Sequence, residues 1–280
     1  MVDARLDDRE TVLDVRRLTK DFGGVHAVDD LSFDVGTGEM LALIGPNGAG
    51  KTTGFNLLSG QLVASAGQVS FRGRNITGLP PRRIARLGIA RTFQITATWA
   101  SMTVAENVQL AIAARQRRLF AMWPRARELY RAEALTLLEQ VGMQAQAERA
   151  AAVLAYGDLK RLELAIALAG NPELLLLDEP TAGMAPDARH ELMALIASIV
   201  AERRLSVLFT EHDMDVVFGH ADRVMVLNRG ELIACGTVAA IRDDALVREV
   251  YLGGGRLVGN ATVTDATHPE ADGEAGQVHA

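Results

Sequence analysis

The chain has 280 residues, 49% of them hydrophobic and 23% charged, which is enough for a full buried core and ordinary for a globular protein. Its net charge of -6 gives no global attraction to phosphate backbones and argues against nucleic acid as a partner. A single cysteine, Cys235, excludes an internal disulfide and fits a reducing compartment.

The N-terminus, MVDARLDDRE, carries acidic residues where a signal peptide carries basic ones, so export is not expected. Residues 11–18 (TVLDVRRL), 31–35 (LSFDV) and 67–73 (GQVSFRG) alternate apolar and polar positions, which predicts a small antiparallel β layer. Three runs, MLALIG at 40–45, ELLLLD at 173–178 and LSVLFT at 205–210, read instead as strands buried on both faces. With helical patterns between them, the predicted core is α/β with mostly parallel strands. From about Thr103 to Val153 the chain turns rich in Ala, Leu, Arg, Gln and Glu, with Leu129, Ala132, Leu135, Leu138 and Val141 at helical spacing. An inserted helical subdomain, roughly 95–160, is predicted there. The most apolar stretch, Leu162 to Leu177, is interrupted by Gly170, Asn171, Pro172 and Glu173 and falls short of the roughly 20 apolar residues of a spanning helix. Residues 254–280 hold few large apolar groups and are predicted to be a disordered tail, leaving 11–253 as the folded unit.

The strongest chemical signal is Gly45, Pro46, Asn47, Gly48, Ala49, Gly50, Lys51 and Thr52, which fits GxxxxGK[ST] between a buried strand and a helical stretch, Thr53 to Leu58. Glycines let backbone N–H groups turn inward around phosphate oxygens, and the helix N-terminus adds its positive end. Lys51 supplies a cation to the β and γ phosphates, and Thr52 is placed to hold Mg²⁺. One such charge pair at about 4 Å and an effective dielectric of about 20 is worth on the order of 4 kcal/mol before desolvation. That leaves kinases, GTPases and ATPases open.

The strand Leu174 to Leu177 ends in Asp178-Glu179, at the crevice where parallel sheets bind ligands. Asp178 can hold Mg²⁺ through water, and Glu179 can act as general base toward the attacking water. An acidic pair before proline is also common turn chemistry; the phosphate loop gives it the second meaning. His212, closing the third buried strand, can contact the γ-phosphate and orient Glu179, although a lone histidine there is also a common structural residue. Gln94 by itself reads as a surface residue.

Together these motifs resemble the ATPase subunits of ABC transporters from about residue 11 to residue 253. The resemblance implies that Phe22 stacks on adenine, that Gly45 to Thr53 bind the phosphates of ATP, that Gln94 links Mg²⁺ to the membrane subunits and that His212 is the switch histidine. Leu154-Ala-Tyr-Gly-Asp158 resembles the signature stretch, whose helix N-terminus, here with Tyr156 and Gly157, faces the γ-phosphate held by an opposing ATPase subunit. A head-to-tail dimer is implied. Two positions depart from the usual pattern, Ala155 for serine and Ala185 for aspartate or asparagine, with Lys160, Arg161 and nearby backbone amides as candidates to compensate.

Within that family, Ile89-Ala-Arg-Thr-Phe-Gln94, Met102-Thr-Val-Ala-Glu-Asn107, Leu154-Ala-Tyr-Gly157 and Val250-Tyr-Leu-Gly253 resemble the ATPases of branched-chain amino acid importers. That resemblance implies two membrane-spanning permease subunits, a second ATPase subunit that is identical or paralogous, a solute-binding protein engaged indirectly, and a peripheral place on the cytoplasmic face of the inner membrane. A lipid exporter ATPase and a soluble ABC ATPase are the rival readings, and a phosphate-loop kinase gives no reason for the signature helix. Arg115, Arg117, Arg118, Arg125, Arg127 and Arg131, interleaved with Phe120, Met122, Trp123 and Tyr130, read either as a solvated helical insertion or as a surface near anionic headgroups.

Overall fold

Alternate side chains of the three apolar strands enter two different cores. In the computed structural model, which describes residues 9–92, 98–116 and 128–252, strand β3 (Met40–Ile44) sends Leu41 and Leu43 to one side and Met40, Ala42 and Ile44 to the other. Strands β7 (Leu174–Asp178) and β8 (Ser206–Thr210) divide in the same way, Leu174, Leu176 and Leu208 against Leu175, Leu177, Val207 and Phe209. A strand with a core on each face buries both sets of side chains, which is why the middles of these runs are continuously apolar rather than alternating.

The first core lies under an antiparallel sheet. Strands β1 (Thr11–Phe22), β2 (Val25–Gly36), β4 (Ala66–Phe71) and β5 (Arg74–Asn75) form it in the order β2-β1-β4-β5. Helix α1 (Lys51–Leu58) shares that core through Phe55, Leu57 and Leu58, and α2 (Pro81–Leu87) adds Ile84. β1 is longer than the alternating run 11–18, because register shifts between Val15 and Leu18 absorb Arg17 at φ 46 and carry the strand on to Phe22.

The second sheet runs β10-β9-β3-β8-β7-β6, with β6 at Ile89–Thr92, β9 at Arg223–Asn228 and β10 at Glu231–Thr237. All its pairings are parallel except the β9–β10 hairpin at one edge. Its outer face is covered by α3 (Val104–Arg115), α4 (Arg131–Gln140), α5 (Tyr156–Ala169), α6 (Pro186–Arg203) and α7 (Met214–His220). Thr103 and Glu106 start α3 with a reciprocal capping box, and Pro81 and Pro186 open their helices where a missing N–H costs nothing. Two short helices, α8 (Val238–Asp243) and α9 (Ala245–Leu252), close the described chain, in which no helix is long and apolar enough to cross a membrane.

In the helical region, Leu138 and Val141 are fully buried, as their spacing predicts, whereas Leu129 and Leu135 are half-buried and Ala132 is exposed. The helix that begins at Tyr156 continues to Ala169, past the limit near 160. Of the arginine cluster, Arg115 pairs with Glu133 and Arg131 with Glu148, while residues 117–127 lie outside the described residues. Gln94 and the stretch from 253 onward also lie outside them.

Candidate nucleotide site

Strand order sets the site. β8 lies between β3 and β7, so the loop after β3, the acidic end of β7 and the histidine after β8 all emerge at the same edge of three neighbouring parallel strands. Such an edge is where parallel sheets bind ligands.

The loop Gly45–Gly50 needs glycine for lack of room. A Cβ on Gly45 would stand 2.3 Å from Leu227 O, and one on Gly50 2.3 Å from Ala27 O. Gly50 also has φ 103, and Gly48 has φ 78 with open space around it. Ala27 belongs to the β1–β2 hairpin, so that hairpin, with Phe22 half exposed at its turn, borders the loop. Helix α1 starts at once after Gly50, with no side-chain cap and no acidic residue in its first turn. Its first N–H groups therefore have no competing anion of their own.

Lys51 is buried, and its ammonium donates to Gly45 O at 2.7 Å and Pro46 O at 3.1 Å, spanning the loop from inside. Burial lowers its pKa, while Glu179 and Asp178 pull it back up. Thr52 is exposed on the first turn of α1, and Thr53 is half-buried beside it.

Asp178 is buried, with both carboxylate oxygens engaged. Thr210 Oγ1 donates to Oδ1 at 2.9 Å and Arg91 Nη2 donates to Oδ2 at 2.8 Å. Arg91 also donates to Asn56 Oδ1 at 2.7 Å and Ser59 Oγ at 2.9 Å, tying the end of α1 to β7. Glu179 follows at φ 49, a left-handed conformation that costs a non-glycine residue about 1–2 kcal/mol. Its N–H donates to Thr210 O at 3.2 Å and Thr210 Oγ1 at 3.0 Å, so one threonine grips both acids and holds the strained turn.

His212 Nε2 stands 2.8 Å from Glu179 Oε1. A carboxylate only accepts, so an ionised Glu179 takes this contact from a protonated Nε2. Flanking His212 are two acids tied elsewhere. Glu211 is buried and accepts from Thr181 N–H at 2.9 Å and Thr181 Oγ1 at 2.7 Å, with its pKa raised by burial. Asp213 accepts from Arg189 Nη1 at 2.6 Å and caps α7 through Asp215 N–H. Sequence reasoning missed Arg91, Thr210, Glu211 and Arg189. The only available signal was their position beside the motifs, since an isolated arginine or threonine carries no spacing pattern.

In the helical region, α5 starts at Tyr156 after Ala155, which offers no side-chain cap. The Tyr156 hydroxyl donates to Ala182 O of its own chain at 2.9 Å. Lys160 does not reach the helix N-terminus as a surface cation. It is buried and paired with Glu163 at 3.1 Å, because position 160 falls on the inward face of α5. Arg161 is turned toward Glu191 and Val141 O.

This fold and this convergence of loop lysine, paired acids and histidine define a phosphate-loop ATPase of the cassette type. The ABC transporter family profile matches residues 28–182, and a second profile, the branched-chain amino acid ATP-binding cassette transporter, matches residues 231–256. The chain belongs to the ABC transporter ATP-binding family, whose members hydrolyse ATP to drive transport across a membrane. It is 41% identical over 251 residues to the high-affinity branched-chain amino acid transport ATP-binding protein LivG of Salmonella typhimurium, covering 87% of this chain and 98% of the relative. The LivG protein of Escherichia coli is 40% identical over the same shares, and BraF of Pseudomonas aeruginosa is 40% identical over 86% of this chain and 98% of its own. Among solved structures, a nucleotide-free ATP-binding cassette from an ABC transporter superposes with a TM-score of 0.77 at 31% identity, covering 86% of this chain and 99% of that one. The ADP conformation of an ATP-binding cassette superposes with a TM-score of 0.77 at 30% identity, covering 87% and 99%.

Proposed function

We propose that this chain powers an importer of branched-chain amino acids or a related small polar solute. The observation that carries the catalytic half of the reading is the Glu179–His212 contact of 2.8 Å beside the loop that holds Lys51. The names of the 40–41% identical relatives and the match over residues 231–256 support the cargo.

ATP enters with its adenine against the exposed ring of Phe22 and its phosphates against the N–H groups of Gly45 to Thr53. Lys51 exchanges its two loop carbonyls for phosphate oxygens, a trade a desolvated ammonium favours because the new partners are full anions. Thr52 and Asp178 offer the hydroxyl and carboxylate oxygens that suit Mg²⁺, with Gln94 as a further ligand, and the ion would neutralise phosphate charge. Glu179 takes a proton from the attacking water while His212 holds its carboxylate from the far side. The strained turn at Glu179 keeps that carboxylate aimed outward from the strand end.

Tyr156 and Gly157 of a second ATPase subunit, identical or paralogous, offer first-turn N–H groups of α5 to the γ-phosphate. Closing and reopening of that pair moves two membrane-spanning permease subunits, from a peripheral position on the cytoplasmic face of the inner membrane, and a solute-binding protein delivers cargo on the other side.

The reading is tested by purifying the chain from detergent-solubilised membranes with whatever permeases it retains, reconstituting the complex, and following labelled leucine, isoleucine and valine. Uptake that requires ATP and is lost in Lys51→Ala is the expected result. Retention of an exporter-type permease, or outward movement of lipid, would overturn the cargo assignment.

A further inference from the structure

Residues 180–185, the loop after Glu179, are held by side-chain hydrogen bonds with three residues, Glu211, Arg189 and Tyr156. Two lead to the segment after β8, one directly and one through Arg189 of α6. Thr181 donates twice to Glu211, at 2.9 Å and 2.7 Å, and Arg189 donates to Met184 O at 2.8 Å while pairing with Asp213 at 2.6 Å. These fix the loop to the segment that carries His212.

The third tie comes from α5. Tyr156, in the first turn of α5, donates its hydroxyl to Ala182 O at 2.9 Å. Its ring lies against Gly183, where an added Cβ would stand 3.5 Å from Cε1, and Gly183 has φ 79. On the ring sits the ammonium of Lys160, 5.5 Å from the centroid. Lys160 is itself fixed, 7% exposed and paired with an equally buried Glu163. A tyrosine held by a buried cation and a glycine keeps its hydroxyl aimed at little entropic cost. Helix α5 in turn packs on α3 and α4, so the tie connects these three helices to the loop beside Glu179.

We infer that the Tyr156 hydroxyl is a positioning contact that couples the two nucleotide sites of the dimer. It transmits the engagement of the first turn of α5 with one nucleotide to the loop that sets Glu179, which acts on the other. This rests on the dimeric reading proposed above.

Tyr156→Phe removes one oxygen and leaves the ring, the Gly183 packing and the backbone N–H in place. In the reconstituted complex, the expected result is a kcat lower by about three- to tenfold, the size of one hydrogen bond, with KM for ATP within about twofold. The Hill coefficient for ATP falls toward 1. In a Glu179→Gln background, ATP still traps the closed dimer, by size-exclusion chromatography, with or without Tyr156→Phe. A contact that served only folding would lower the melting temperature without separating kcat from KM. Wild-type kcat and cooperativity in Tyr156→Phe would overturn the inference. So would loss of trapping in the double variant, which would make the side chain part of the dimer interface instead. Failure of Glu179→Gln alone to trap a dimer would bring down the dimeric reading, and the coupling with it.

Discussion

Arg91 and Asp178 form a buried ion pair at 2.8 Å across neighbouring strands β6 and β7, their side chains 8% and 3% exposed. The pair matters beyond stability because Arg91 precedes the stretch that carries Gln94, while Asp178 precedes Glu179. Removing the arginine leaves a buried carboxylate with Thr210 as its remaining described donor.

Arg91→Met is expected to destabilise the fold by about 3–5 kcal/mol, the cost of stranding one member of a buried pair. Urea unfolding monitored by circular dichroism measures this directly. An unchanged midpoint would show that Asp178 finds another partner at no cost. The double variant Arg91→Met with Asp178→Asn should recover part of the loss, since the stranded charge is then gone.

The phosphate loop should rank its glycines by space rather than by φ alone. Gly48→Ala meets only the left-handed penalty of about 1–2 kcal/mol, because nothing lies near its Cβ. Gly50→Ala must in addition push Ala27 O from 2.3 Å, and should cost about 3 kcal/mol or more together with nucleotide binding. Paired thermal melts and fluorescent-nucleotide titrations check the order. The reverse order would mean that the β1–β2 hairpin moves freely away from the loop.

Glu211 sets a pH dependence. Burial raises its pKa above the ordinary 4.5, so the folded state holds the proton over a range where the unfolded chain has released it. Its contribution to stability is fully present below pH 4.5 and is lost as pH rises through the folded value. Glu211→Gln removes this titration, so unfolding free energy plotted upward from pH 4.5 should fall less steeply in the variant than in the wild type. Equal slopes would contradict the assignment of the proton to Glu211.

Much of this architecture was legible in the sequence because the relevant physics is local. A strand with a core on both faces must be apolar through its middle, and Leu174 to Leu177 read that way without any partner in view. A phosphate loop has fixed spacing, so Gly45 to Thr52 announce themselves. The β9–β10 hairpin was not legible, because its two-residue turn uses Arg229 at φ 50 before Gly230 at φ 88, where asparagine or aspartate would have signalled the turn. Nor were the supports of the acids. Arg91 reaches Asp178 from 87 positions away and Thr210 from 32, and no periodicity encodes such pairings. The inward turn of Lys160 depends on which face of α5 meets the core, and a helix that is apolar on several sides does not declare that face.

The central claim is that Glu179 activates water on ATP held by Lys51, and one comparison tests it most directly. Phosphate release and equilibrium ATP binding are measured on wild type, Glu179→Gln and Lys51→Ala in the same reconstituted complex. Glu179→Gln should bind ATP as tightly as wild type or more so, with turnover reduced by at least about 10²-fold, while Lys51→Ala loses binding itself. Turnover at the wild-type rate in Glu179→Gln would contradict the assignment of the base and leave the Glu179–His212 contact as architecture alone.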